Sequence, residues 1–136
     1  MKSLIIGQDE DVANWAFASF NMVPCRYDSA VGIVDDGKLV GAALWHAYSG
    51  HDIELSYYGP MTIGVARALA KMAVDFFGVS RVTARTAYGN KMMTKGIKKV
   101  GFEYEGIRHC AYGNKDAVMF GLWGKNLARL AGKTLQ

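Results

Sequence analysis

The stretch NKMMTKGIKKVGFEYEG, residues Asn90 to Gly106, changes its period in the middle. Asn90 carries a short side-chain acceptor ahead of Lys91-Val100, the signature of a residue that caps a helix N-terminus. Lys91, Lys95, Lys98 and Lys99 give that helix a basic outer face. Gly101 closes it, and from Phe102 the run to Tyr112 reads as a strand.

Working outward, Val79-Ala87 reads as the strand before this helix. Gly113-Asn114 is a turn into a last strand, Ala117-Leu122. Upstream lies the most regular helix, Met61-Phe77, with Val65, Leu69, Met72 and Phe76 on one face and Gly78 as its C-cap. Before it come three strands, Ala30-Val34, Lys38-Ala47 and His51-Tyr58. The first two are joined by Asp35-Asp36-Gly37, whose Asp-Gly accepts the positive φ of a tight hairpin. Ser3-Ile6 is a further strand and Asp9-Phe20 an amphipathic helix with acids in its first turn. The order β-α-β-β-β-α-β-α-β-β predicts an α+β fold. It has a mixed central sheet of about seven strands, an antiparallel meander followed by helix crossovers, and helices on both faces.

With 136 residues, about half of them apolar, the chain suits one domain. That domain is expected over residues 1–124, with a basic tail over 125–136. Met92-Met93 and Phe76-Phe77 are expected in the core. The net charge of +4 suits an anionic ligand of nucleotide type. The cations are scattered, which argues against a dedicated nucleic-acid module. Cys25 and Cys110 form no CxxC, and with His46, His51 and His109 they show no metal-ligand spacing, so no metal is expected and each thiol should be buried in a reducing compartment. No apolar run approaches the roughly 20 residues of a membrane span. The start, MKSLIIGQDEDV, does not read as a signal peptide. A cytoplasmic location is the default expectation.

The Asn90–Gly106 stretch resembles the Asn-(ten residues)-Gly-Phe-x-x-Glu-Gly pattern of the GNAT superfamily of acyl-CoA N-acyltransferases. It is closest in flavour to the ribosomal-protein N-terminal acetyltransferase branch, with Lys99 before Gly101-Phe102 and Asp116 opening the last strand. The element order from Ala30 to Trp123 is also the GNAT order. The resemblance implies acetyl-CoA as cosubstrate, an amine acceptor on a protein or small molecule, and direct acyl transfer within a ternary complex. It implies a cofactor loop of the form Gln/Arg-x-x-Gly-x-Gly/Ala, and Met61-x-x-Gly64-x-Ala66 stands at that place without its Gln or Arg. The pyrophosphate would rest on backbone amides of Gly64, Val65 and Ala66, where small residues allow close approach, with Arg67 as a compensating cation. The pantetheine arm would pair with a free strand edge at Leu55, Ser56 and Tyr57, and Asn90 would cap its helix and reach the same arm.

For chemistry, the resemblance implies a base on the fourth strand, where Glu54 stands with Asp52 and His51 as neighbours. Many GNAT enzymes place an acidic Tyr seven residues after the helix-starting Asn; Ile97 stands there, leaving Tyr112 or Tyr88 as a proton donor. Acceptor specificity is expected in the first helix, the Asn21-Ser29 loop and the Cys110-Asp116 hairpin. Met61 and Ile97 also motivate an alternative, a catalytically inactive GNAT-like structural or binding protein. Compact GNAT-like proteins of tailed phages are loosely similar, which would place the chain in a host cytoplasm or a virion. A homodimer through the last strand and tail is left open.

Overall fold

The computed structural model describes residues 2–20 and 23–133. Seven strands and four helices alternate as β1 (Lys2–Ile5), α1 (Asp9–Ser19), β2 (Ser29–Asp35), β3 (Lys38–His46), β4 (Asp52–Tyr58), α2 (Ile63–Met72), β5 (Arg81–Ala87), α3 (Lys91–Lys99), β6 (Glu103–Tyr112), β7 (Lys115–Trp123) and α4 (Gly124–Leu130). They form one sheet in the order β1-β2-β3-β4-β5-β7-β6. Every neighbouring pair is antiparallel except β4–β5, which α2 connects as a crossover. The predicted α+β architecture, the meander and the mixed sheet are all present.

Strand alternation sorts the side chains onto two faces. On one face Val31, Ile33, Ala43, Trp45, Ile53, Val82, Phe120 and Leu122 meet α2 through Val65 and Leu69, and α4 through Leu127 and Leu130. On the other, α1 packs Val12, Ala13 and Ala16 against Ala30, Ala42 and Leu44. The helices therefore cover both faces, but α1 covers only the β2–β3 side of its own.

The β4–β5 seam is short. Its register runs from Asp52↔Arg81 to Leu55↔Ala84 and stops. Beyond it, β4 continues on β3 as far as Tyr58↔Ala42, while β5 continues on β7 as far as Ala87↔Ala117. Two half-sheets thus diverge from a common seam, and α2 begins above the split. Gly59 makes the turn out of β4: its φ is +102°, and a Cβ there would lie 2.5 Å from the Val40 carbonyl oxygen. Only glycine satisfies both demands.

Several expectations are corrected. Residues from Gly124 onward do not begin a tail: Gly124–Leu130 is α4, and Leu127, Leu130 and Ala131 are core residues. Residues 134–136 lie outside the described set. The helix expected from Met61 starts at Ile63, because the Thr62 side chain accepts the Val65 N–H and caps it. It also does not stay α-helical to its end, since Ala73–Phe77 is a π-helical turn ending at left-handed Gly78. The widened turn takes Phe76 off the apolar face, leaving it 72% exposed, and brings Phe77 onto Trp45 and Tyr48 instead. Met92 is 87% exposed, because α3 rests on the sheet through Ile97 alone among its residues. Cys25 and Cys110 are exposed, not buried: Cys25 lies in the segment before β2, and Cys110 in the irregular stretch of the edge strand β6.

Candidate active site

Two of the residues expected to do chemistry, Glu54 and Tyr112, stand on one face of the sheet beside the split. Glu54 is on the last part of the seam, opposite Thr83, and points to the same face as α1. Its Oε1 lies 3.2 Å from Arg85 Nε, and its side chain is only 14% exposed. That contact is an ion pair without hydrogen-bond alignment, so Oε1 is enclosed yet has no aligned donor among the described residues. The Arg85 guanidinium in turn stands 5.5 Å from the centre of the Tyr112 ring. The two residues expected to do chemistry, Glu54 and Tyr112, are therefore joined by Arg85, which strand alternation puts on the same face of β5. Burial raises the Tyr112 phenol above its ordinary pKa, Arg85 pulls it partly back, and Glu54 raises it again. Tyr112 is protonated at neutral pH and able to donate.

Next to Glu54 stands a second polar pair. His46 is its cross-strand neighbour on β3, and His46 Nε2 lies 2.7 Å from Ser56 Oγ. Burial lowers the His46 pKa below 6.5; Glu54 and Asp28 push it up and Arg85 pushes it down. The Tyr58 phenol, two residues further along β4, is raised in pKa chiefly by burial. Sequence reasoning missed Arg85 and His46. A polar residue at every second position of Arg81-Ala87 was the available signal for Arg85; His46 ends an apolar strand and carries none.

Asp52 and His51 do not join this group. Asp52 accepts from Thr83 Oγ1 at 2.9 Å and sits 3.4 Å from Arg81 Nε, at the closed end of the seam. Arg81 also reaches Glu105, tying β5 to β6. His51 is exposed, and its carbonyl accepts from Ser80. Tyr88 lies by α3, lining a concavity of about 500 Å³ with Lys91, Lys95 and Lys98 over Val118 and Phe120.

The cofactor positions divide. Leu55 is still paired, opposite Ala84, so the free edge of β4 starts one residue later and comprises Ser56, Tyr57 and Tyr58. The Tyr57 side chain turns to the α2 face and its hydroxyl donates to the Pro60 carbonyl, fixing the loop that leads to α2. Burial pushes its pKa to about 12. At the start of α2 the Val65 N–H is taken by Thr62 Oγ1 at 3.2 Å and the Ala66 N–H by the Thr62 carbonyl at 2.9 Å. Both side chains are core, which accounts for the small Ala66 by packing. Ile63 and Gly64 keep unspent amides among the described residues. A Cβ on Gly64 would meet nothing closer than Thr62 Oγ1 at 3.9 Å, so neither packing nor turn geometry requires glycine there. The empty space above it fits a group approaching the helix start, as a phosphate would. Arg67 is exposed and makes no hydrogen bond or ion pair among the described residues. Asn90 caps α3 by accepting the Met93 N–H at 3.2 Å, which leaves its side-chain amide N–H groups free to donate.

Acceptor specificity is expected from the first helix, the loop before β2 and the β6–β7 hairpin. Asn21 and Met22 of that loop lie outside the described residues. Asp28 accepts from the Tyr48 N–H and faces His46, while Asp116 holds the hairpin through the Cys110 N–H and His109. Among the described residues no cluster could hold a metal ion, and no helix is long and apolar enough to cross a membrane.

No family model and no curated protein matches this chain. Solved structures do. Mutant forms of the spermidine/spermine N-acetyltransferase SpeG from Vibrio cholerae superpose with a TM-score of 0.77 at 13% identity, over 95% of this chain and 98% of that one. A probable acetyltransferase gives 0.73 at 16% identity, over 91% and 93%. A GCN5-related N-acetyltransferase from Brucella melitensis gives 0.65 at 20% identity, over 78% of this chain and 55% of that longer one. The chain has the GNAT acetyltransferase fold.

Proposed function

We propose that this protein is an N-acetyltransferase that moves an acetyl group from acetyl-CoA to an amine. The observation that carries the reading is the split between β4 and β5, with unspent amides at Ile63 and Gly64 above one end and Glu54, Arg85 and Tyr112 at the other. Acetyl-CoA would bring an already activated acyl thioester. The chain's own task is then to hold the two reactants together and manage charge and protons. Ile63 and Gly64 would take the pyrophosphate, aided by Arg67. The free edge of Ser56, Tyr57 and Tyr58 would receive the pantetheine amides, and Asn90 would donate to the same arm. The enclosed Oε1 of Glu54 would accept an N–H of the incoming amine, and Tyr112 would protonate the leaving thiolate. Lys91, Lys95 and Lys98 offer a cationic wall for the nucleotide end.

Calorimetric titration with acetyl-CoA, repeated on Gly64→Glu, tests the reading. Micromolar binding that the substitution abolishes supports it; absence of binding at millimolar acetyl-CoA sinks it. A screen of peptide N-termini, polyamines and small amines then names the acceptor. The second reading is a GNAT-fold protein that binds without catalysing, in a cell or a virion. Its support is Ile97, which packs on the core and offers no acid, and Met61 in place of a side-chain anchor. Against it, Met61 is 44% exposed and no part of the buried core.

A further inference from the structure

An amine attacking a thioester must shed a proton, and the side chain best placed by strand position, Glu54, is already committed. Its carboxylate lies against Arg85, and taking a proton would forfeit that ion pair. The same face of β4 offers another route. Ser56 is the first residue past the last β4–β5 rung, so its hydroxyl stands at the mouth of the split. Its Oγ is 2.7 Å from His46 Nε2, on the strand behind it. Tyr58, two residues further along the same face of β4, stands beyond that hydroxyl toward the open end, so a polar line runs from the end of β4 back into the sheet.

We propose that His46 is the proton acceptor of the acyl-transfer reaction, acting through Ser56 Oγ, while Glu54 stays ionised and orients the amine. This assignment rests on the acetyltransferase reading. As the amine nitrogen bonds to the acyl carbon and the C–S bond breaks, the nitrogen loses a proton to Ser56 Oγ. Ser56 gives its own hydroxyl proton to His46 Nε2. The products are an amide, a CoA thiolate that Tyr112 protonates, and an imidazolium that returns its proton to solvent. The order of charges around His46 suits the task. Burial keeps the resting imidazole neutral, and Glu54 on β4 and Asp28 before β2 favour the imidazolium once formed, with Arg85 on β5 opposing.

The test has a spectroscopic and a kinetic arm. NMR titration of the ligand-free protein gives the His46 pKa directly, expected below 6.5 and displaced in Ser56→Ala. With the acceptor found by the screen, the acid limb of kcat/KM against pH should follow that pKa. His46→Gln and Ser56→Ala should lower kcat about 100-fold, in the range of a lost general base, with KM for acetyl-CoA unchanged, and His46→Gln should lose the acid limb. Ser56→Thr, which keeps the hydroxyl, should recover most of the rate, and Glu54→Gln should keep the limb. A wild-type chain that transfers acetyl groups while His46→Gln retains both rate and acid limb overturns the assignment alone. A wild-type chain that neither binds acetyl-CoA nor transfers overturns it together with the function.

Discussion

Gly64 separates the use of a residue from its packing. It has no neighbour that a methyl group would strike, and as the second residue of α2 it carries a cost of helix propensity, about 1 kcal/mol relative to alanine in a helix interior. Gly64→Ala should therefore leave the melting temperature unchanged or raise it slightly. The same methyl would stand over the unspent Ile63 and Gly64 amides, so affinity for acetyl-CoA should fall about tenfold, a change of 1.4 kcal/mol. Thermal melts and calorimetry on one preparation read both; equal affinity in the two proteins would mean the phosphate lies elsewhere. His46 supports a second prediction at this scale. Its pKa is lowered in the fold, mainly by burial, so the folded state binds fewer protons than the unfolded chain as pH falls below 6.5. Stability should therefore decline with acidity from that point, and His46→Gln should flatten the decline. Urea midpoints between pH 8 and pH 5 measure it; identical slopes for the two proteins would contradict the burial argument.

At the scale of an element, the end of α2 is where period and structure part. An uninterrupted α-helix from Val65 would put Phe76 on the core, whereas the π-turn at Ala73–Phe77 hands that place to Phe77. Phe77→Ala should cost about 2–3 kcal/mol, somewhat less than a fully buried phenylalanine, and Phe76→Ala under about 1 kcal/mol. Equal costs, or the reverse order, would show a regular helix. The same contrast explains what could be read in advance. The strands, the Asp36-Gly37 hairpin, the Gly78 and Asn90 caps and the element order follow from period and local chemistry, which act over a few residues. The π-turn, the early stop of the β4–β5 seam, the Thr62 cap that removes the Val65 amide and the burial of α4 depend on contacts between distant segments. The candidate site divides in the same way: Glu54, Ser56, Gly64 and Tyr112 carried a recognisable place in the chain, but Arg85 and His46 acquire meaning only when β3, β4 and β5 stand side by side.

The whole molecule is two half-sheets held along one short seam, and its stability should be distributed accordingly. The β1–β4 half is covered by α2 on one face and, over β2 and β3, by α1 on the other, so Val31, Ala43, Leu44 and Trp45 are fully buried. Among the described residues, the outer half, β5-β7-β6, has no helix on the α1 side. There Arg81, Thr83, Glu105 and Asp52 hold the surface by ion pairs and hydrogen bonds, and α3 contributes no buried residue at all. Local opening costs least where little apolar surface is buried. Native-state hydrogen exchange should therefore rank the amides of β2 and β3 with the global unfolding free energy and those of α3 several kcal/mol below it. Saturating acetyl-CoA should slow exchange at Ile63 and Gly64, whose N–H groups have no internal partner, more than at Val65, already capped by Thr62. Protection of α3 equal to that of β3 would refute the picture of a loosely seated outer layer, and Val65 responding before Gly64 would move the ligand off the helix start.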